Sequence, residues 1–296
     1  MPRVDLRINL GWEGRIKLAR SPKGRFFGTI ENNMAKRIII TAEYFSQYRQ
    51  KIGFANQADV KNFFGAKDIT PTVDFNYIKL LNSRLYDIVD KINSVVVNEI
   101  KIEDLAAFKK EHIDRTFEIM KESDILPILN NQGRRPEQVY FSWMRGYVIS
   151  NYFLKALGLI FGVDTSKIDL IGDDDLKSVE TFKRTPKADL EVRLNGKEKV
   201  RIEMQSGFTG INDIKQHKVL EAKRVFRNDG THTLAIHIDL YNGQVAFIKL
   251  DEIEDDSVNW ITRQQMEGQT VFNIDQNYFV WKITELPPEF KKLNLE

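Results

Sequence analysis

The 296-residue chain contains no cysteine. Disulfides, thiolate zinc sites and a cysteine nucleophile are therefore excluded, and the composition points to an intracellular, cytoplasmic home. Histidine is scarce as well: only four occur, and neither His217 nor His237 has partners at metal-ligand spacing, so a zinc site is not expected. His217 lies in a basic stretch, and His237 stands two residues before Asp239 on a candidate strand. No apolar run approaches the ~18 residues that a membrane span requires, and the opening Met1-Pro2-Arg3-Val4-Asp5 lacks the apolar stretch of a signal peptide. Walker-type phosphate loops, the Rossmann glycine fingerprint and the GxSxG elbow are missing too, which argues against the commonest nucleotide-binding and serine-hydrolase frameworks.

What is present is a well-mixed globular composition, 42% hydrophobic and 29% charged, with a net charge of +2. That charge is unevenly spread. Residues 1–50 hold ten Lys/Arg against four Asp/Glu, so the remainder is mildly acidic. A basic lobe joined to an acidic one suits a protein that grips a polyanion with one part and binds cations with the other. An ordinary solvated basic surface would have the same composition.

Hydrophobic spacing predicts an α/β (α+β overall) protein with a mixed central sheet flanked by helices. It divides the chain into an N-terminal β-plus-helical lobe, residues 1–130, and a core, residues 131–296. Residues 1–45 alternate as strands do (Val4, Leu6, Ile8, Leu10) between Gly and Asn turns, and Ile38-Ile39-Ile40 suggests a further strand. From about Val73 to Lys121 the period becomes helical, with Ile78, Leu81, Leu85, Ile88 and Ile92 three or four apart. Pro136 and Glu137 start a second helix that closes near Gly162. Candidate strands follow at Val179–Lys183, Ala188–Leu194, Lys199–Ser206, Thr233–Leu240, Gln244–Leu250 and Tyr278–Ile283, with a helix from Asn212 to Arg227.

Two of these strands carry the chemistry. Along the first, Asp189, Glu191 and Arg193 share a face opposite Leu190, Val192 and Leu194; along the second, Arg201, Glu203 and Gln205 oppose Val200, Ile202 and Met204. A two-residue turn at Asn195-Gly196 would set Asp189 against Ile202 and mix polar with apolar faces. A three-residue connection, Asn195 to Lys197, keeps the apolar faces together and sets Asp189 opposite Glu203. Two adjacent carboxylates repel unless a cation lies between them, and magnesium, which prefers oxygen ligands and keeps several waters, fits such a pair. An exposed ionic face with Glu191–Arg201 and Asp189–Arg201 ion pairs is the other reading of the same pattern.

Pro186-Lys187-Ala188-Asp189, thirteen further residues, and then Glu203-Met204-Gln205 resemble the PD-(D/E)xK nuclease motif, with similarity to that family's common core over about residues 136–250. The resemblance implies a magnesium-dependent endonuclease that cleaves double-stranded DNA, similar to a type II restriction enzyme and acting as a homodimer on a twofold site. Asp189 and Glu203 would be catalytic and hold the metal, and Glu137 resembles the extra acid that many members place on the preceding helix. Glu137 also suits a helix first turn by itself. Gln205 stands where the family has its catalytic lysine; glutamine can orient water but brings no charge, and Lys215 or Lys218 could supply the charge in space. If nothing does, the chain is a non-catalytic DNA-binding protein that keeps the nuclease fold. Candidate DNA contacts are the loop residues Asn130, Asn131, Gln132, Arg134 and Arg135, together with Lys187, Lys215 and Lys218.

Overall fold

The computed structural model describes residues 41–129, 134–171, 188–194, 198–263 and 268–293. The alternating segments before residue 41, the turn at Asn195–Lys197, the strand expected at Val179–Lys183, and Asn130, Asn131, Gln132 and Lys187 lie outside them. The chain divides into two units, residues 1–61 and 62–296. In the first, residues 42–45, expected to be β, open helix α1 (Ala42–Lys51), because Thr41 supplies an N-cap that accepts the Tyr44 amide at 3.2 Å. Helix α2 is Gln57–Phe64.

Within the second unit, α3 (Phe75–Val95) begins at Asp74, whose carboxylate accepts the Tyr77 amide, and buries Ile78, Leu85, Val89 and Ile92 along one stripe. Two shorter helices, α4 (Leu105–Lys109) and α5 (Thr116–Glu122), follow, joined by a π-helical turn. Helix α6 (Pro136–Tyr152) opens with proline in its first turn and is buried on nearly every side, so it is the axis of the unit. A break at Phe153 separates it from α7 (Leu154–Phe161), which ends where Gly162 turns left-handed at φ +64°. Ile78, Leu85 and Val89 of α3 share one core with Tyr140, Met144 and Val148 of α6 and with the sheet.

The sheet contains β1 (Ile168–Leu170), β2 (Leu190–Arg193), β3 (Lys199–Gly207), β5 (His232–Asp239), β6 (Gln244–Lys249) and β9 (Phe279–Lys282), in that spatial order. All its pairings are antiparallel except β3 with β5, which run parallel. That pair needs a crossover, and helix α8 (Gln216–Asp229) supplies it. A second, three-stranded sheet orders β4 (Asp213–Lys215), β8 (Gln269–Asn273) and β7 (Ile261–Arg263). The mixed α/β class and five of the expected strands are as the hydrophobic pattern predicts. The helix expected from Asn212 begins at Gln216 instead, since residues 213–215 pair with β8.

Alternation gives the large sheet two different faces. Ile202, Leu234, Ile236, Ile238 and Phe247 point into the core shared with α3 and α6. On the opposite face Ala235, Ala246 and Ile248 pack under Val219 and Ala222 of α8 and Phe272 of β8. Glu203 and Gln205 belong to this second face.

Candidate active site

The β2–β3 register pairs Leu190 with Ile202 and Val192 with Val200, the pairing selected by the apolar faces. The last pair of the ladder is Leu190 with Ile202, and Asp189 stands just before it. The Asp189 amide donates to the Ile202 carbonyl at 3.0 Å, and its carboxylate accepts the Met204 amide at 2.8 Å. The Asp189 carboxylate is thereby held on the β3 backbone at Met204, the residue after Glu203. Glu191, two residues along, pairs with Arg201 at 3.6 Å and Lys199 at 3.2 Å, so the ionic-face reading applies to that end of the ladder.

Glu203 is 4% exposed. Burial pushes its carboxyl up from the usual range, while the ammonium of Lys218, at 2.7 Å, and a hydrogen bond from Gln205 oppose that rise. Lys218 reaches it from the first turn of α8, three residues past the Lys215 cap. A lysine ammonium thus stands on Glu203, two residues before Gln205 on the same strand.

Gln205 also leads into a buried polar chain. Parallel pairing sets it beside His237 of β5, with the amide oxygen 3.5 Å from Nδ1. The imidazole Nε2 stands 2.8 Å from the Asn212 amide oxygen, and the Asn212 Nδ2 donates to Asp239 at 3.2 Å. Burial pushes His237 down to about 4, so the ring is neutral near pH 7 and donates through Nε2. Burial works against the ionisation of Asp239, but donors from Asn242, Asn212 and Gln244 outweigh it and hold the carboxyl below its ordinary value. Composition could not reveal this chain, because it depends on parallel pairing between strands distant in sequence.

A cleft of about 730 Å³ opens over these groups, lined by Glu203, Gln205, His237, Lys215 and Lys218 and by Ser142 and Arg145 of α6. Arg263 of β7 joins the wall, held to Asp213 by contacts of 2.9 and 3.2 Å. The cleft thus sets Lys215, Lys218, Arg145 and Arg263 around Glu203 and Asp213, a distribution that favours an anionic ligand, and Asp189 is not among its lining residues.

The other expected contacts fall elsewhere. Glu137 is fully buried, with Oε1 accepting the Asp74 amide at 2.6 Å and Oε2 accepting Arg135 Nε at 3.1 Å. Both oxygens are committed to tying α3 to α6, and Glu137 is not among the residues lining the cleft. Arg135 is drawn into the same clasp, with its guanidinium 5.5 Å from the centroid of the Tyr77 ring. Arg134 is half-buried just before α6. One further group of three candidate ligands converges among the described residues: His232, Asp251 and Glu252. Asp251 there accepts both His232 and the Thr233 amide at 2.7 Å, and Glu252 pairs with Lys249, which makes the group a clasp on the start of β5.

No protein-family model matches the chain, and no curated protein does. Among solved structures it is similar to Hjc, a Holliday junction resolvase from the archaeal hyperthermophile Archaeoglobus fulgidus. That similarity has 12% identity and a TM-score of 0.29, and it spans 46% of this chain and 96% of the resolvase. A likeness this slight leaves function to be read from the site. No described helix is long and apolar enough to cross a membrane.

Proposed function

We propose that the chain is a metal-dependent endonuclease of the PD-(D/E)xK kind that hydrolyses phosphodiester bonds in DNA. The observation that carries this reading is the Asp189 carboxylate on the Met204 amide, one residue along β3 from Glu203, with the Lys218 ammonium on that glutamate. Asp189, Glu203 and the Gln205 amide would supply oxygen donors only, which suits magnesium better than a softer metal. Asp189 and Glu203 would hold the ion, and Glu137 would not, since both its oxygens are committed. A bound magnesium would lower the pKa of a water and neutralise charge on the phosphate.

The protein's own part is to place that water and to balance charge. Gln205, hydrogen-bonded to Glu203, is positioned to orient the attacking water. Lys218 brings the positive charge that Gln205 lacks, from a helix instead of the strand. Attack in line at phosphorus breaks the bond to the leaving oxygen, which takes up a proton from solvent. Lys215, Arg263 and Arg145 line the cleft where the backbone phosphates would lie. Double-stranded DNA as substrate, restriction-type site recognition, a homodimer and a cytoplasmic location are the finer parts of this proposal. Discrete plasmid fragments and a sedimentation coefficient for two copies would support the recognition and assembly parts.

The test is cleavage of supercoiled plasmid as magnesium is titrated. Asp189→Asn and Glu203→Gln should each lower the rate by at least about a hundredfold, because several kcal/mol of charge stabilisation go with the metal. Near-normal cleavage by either folded variant sinks the assignment. One observation favours a second reading, a DNA-binding protein without catalysis: the Lys218 ammonium already neutralises Glu203. Under that reading the wild type binds DNA but cuts no substrate at any magnesium concentration.

A further inference from the structure

Arg145 is the least accounted-for charge in the cleft. Its guanidinium carbon lies 3.8 Å from the centroid of the Phe208 ring and 5.6 Å from that of Phe141. Its Nε is buried with no hydrogen-bond partner among the described residues, and no described carboxylate pairs with it. Burial lowers its pKa, which reflects the same lack of compensation. A cation taken out of water without a counter-charge is costly unless a ligand completes it.

Phe208 presents the opposite anomaly, an aromatic side chain 51% exposed at the end of the strand that carries Glu203 and Gln205. The backbone is built to put it there. A Cβ at Gly207 would come within 2.7 Å of Asn212 Oδ1 and 2.8 Å of His237 Nε2, so only glycine lets β3 pass that close. Gly210, at φ +76°, lets the next turn fold against the ring of Tyr241, which is itself exposed.

Arg145 and Phe208 also line a second groove, of about 470 Å³, that adjoins the cleft. Its walls are apolar (Ile88, Phe141, Leu240, Ile283), and Arg84 and Lys91 add positive charge. A flat apolar ligand attached to an anion matches this arrangement in both shape and charge. We propose that the groove receives an unpaired nucleobase of the DNA substrate, stacked on Phe208, with the phosphate of that nucleotide on Arg145. This rests on the DNA-cleaving reading and names the substrate class for the same cleft. A continuous duplex would have to release a base from its stack to bind this way, whereas a bulge or single strand has one already free. The site therefore favours DNA with an unpaired nucleotide beside the scissile phosphate.

Binding in EDTA separates this inference from catalysis. Three fluorescein-labelled oligonucleotides are compared by anisotropy: a paired duplex, the same duplex with a one-nucleotide bulge, and the single strand. Stacking of one base predicts that the bulged duplex binds roughly 5- to 150-fold more tightly than the paired one. Phe208→Ala should erase that ratio, and its ring is exposed enough for the fold to survive. Arg145→Gln should weaken all three and reduce the salt slope by about one. Equal affinity of wild type for paired and bulged duplexes overturns the proposal, as does a Phe208→Ala variant that keeps the preference, or a failure to bind any of the three. Preference without magnesium-dependent cleavage would overturn the nuclease reading alone, and cleavage without preference would overturn this one alone.

Discussion

Replacing Lys218 with methionine separates what the ion pair does for folding from what it does for metal and substrate. Methionine keeps much of the aliphatic stem that covers Glu203 but removes the ammonium at 2.7 Å. Glu203 is then a nearly buried carboxylate without its cation, a change that costs about 3–5 kcal/mol when the group stays charged. It can escape part of that cost by taking up a proton. Burial already raises its pKa, and Lys218 is the chief opposing influence, so the variant's pKa rises further. A group whose folded pKa lies above its unfolded value gives full stability below the unfolded value and loses it as pH rises through the folded one. The penalty of Lys218→Met should therefore be small near pH 5 and grow toward pH 8. For a single proton the growth is limited to about 1.4 kcal/mol per pH unit.

Urea unfolding of wild type and variant at pH 5 and pH 8 reads this directly as a difference of differences, in which groups common to both proteins cancel. Removal of Lys218 also frees an oxygen of Glu203, so magnesium should raise the melting temperature of the variant more than that of wild type. Cleavage should fall at the same time, because the charge near the phosphate is gone. Destabilisation that is equal at both pH values would refute the buried-pair argument. Unchanged cleavage would remove Lys218 from the catalytic role.

Gly207→Ala should destabilise the protein by about 1–3 kcal/mol in thermal or urea unfolding, since the new methyl meets Asn212 and His237 inside 3 Å. Gln205→Ala should lower cleavage more than Gln205→Lys, measured as initial nicking rates; equal rates for wild type and Gln205→Ala would make the glutamine a bystander. Replacing Arg15, Lys17, Lys23 and Arg25 together with alanine should weaken DNA binding and flatten its salt dependence, because fewer counterions are released. An unchanged slope would assign the N-terminal charge to some other role.

The parts of the site visible in the sequence are those set by local parity. Leu190, Val192, Val200 and Ile202 must share a face, a one-residue slip would reverse all of them, and so the β2–β3 register follows from a short antiparallel ladder. Helix starts were less visible where a polar segment had two uses: Asn212 to Lys215 suits a helix entry, but residues 213–215 find a partner in β8 about 60 residues later. Glu137 was ambiguous for a related reason, because a first-turn glutamate and a metal ligand have the same sequence signature, and only Asp74 and Arg135 decide between them. Arg145 gave no signal at all. It lies in Trp143-Met144-Arg145-Gly146, within a helix buried on nearly every side, where there is no polar stripe against which a functional charge could stand out. The pairing of Gln205 with His237 was hidden by topology. Parallel strands are joined through a crossover whose length leaves their register free, and the sequence constrains it only through the packing of α8 on both. The β2–β3 register, set by a local ladder, could thus be read in advance, whereas the groups around Glu203 depend on contacts that only the folded chain makes.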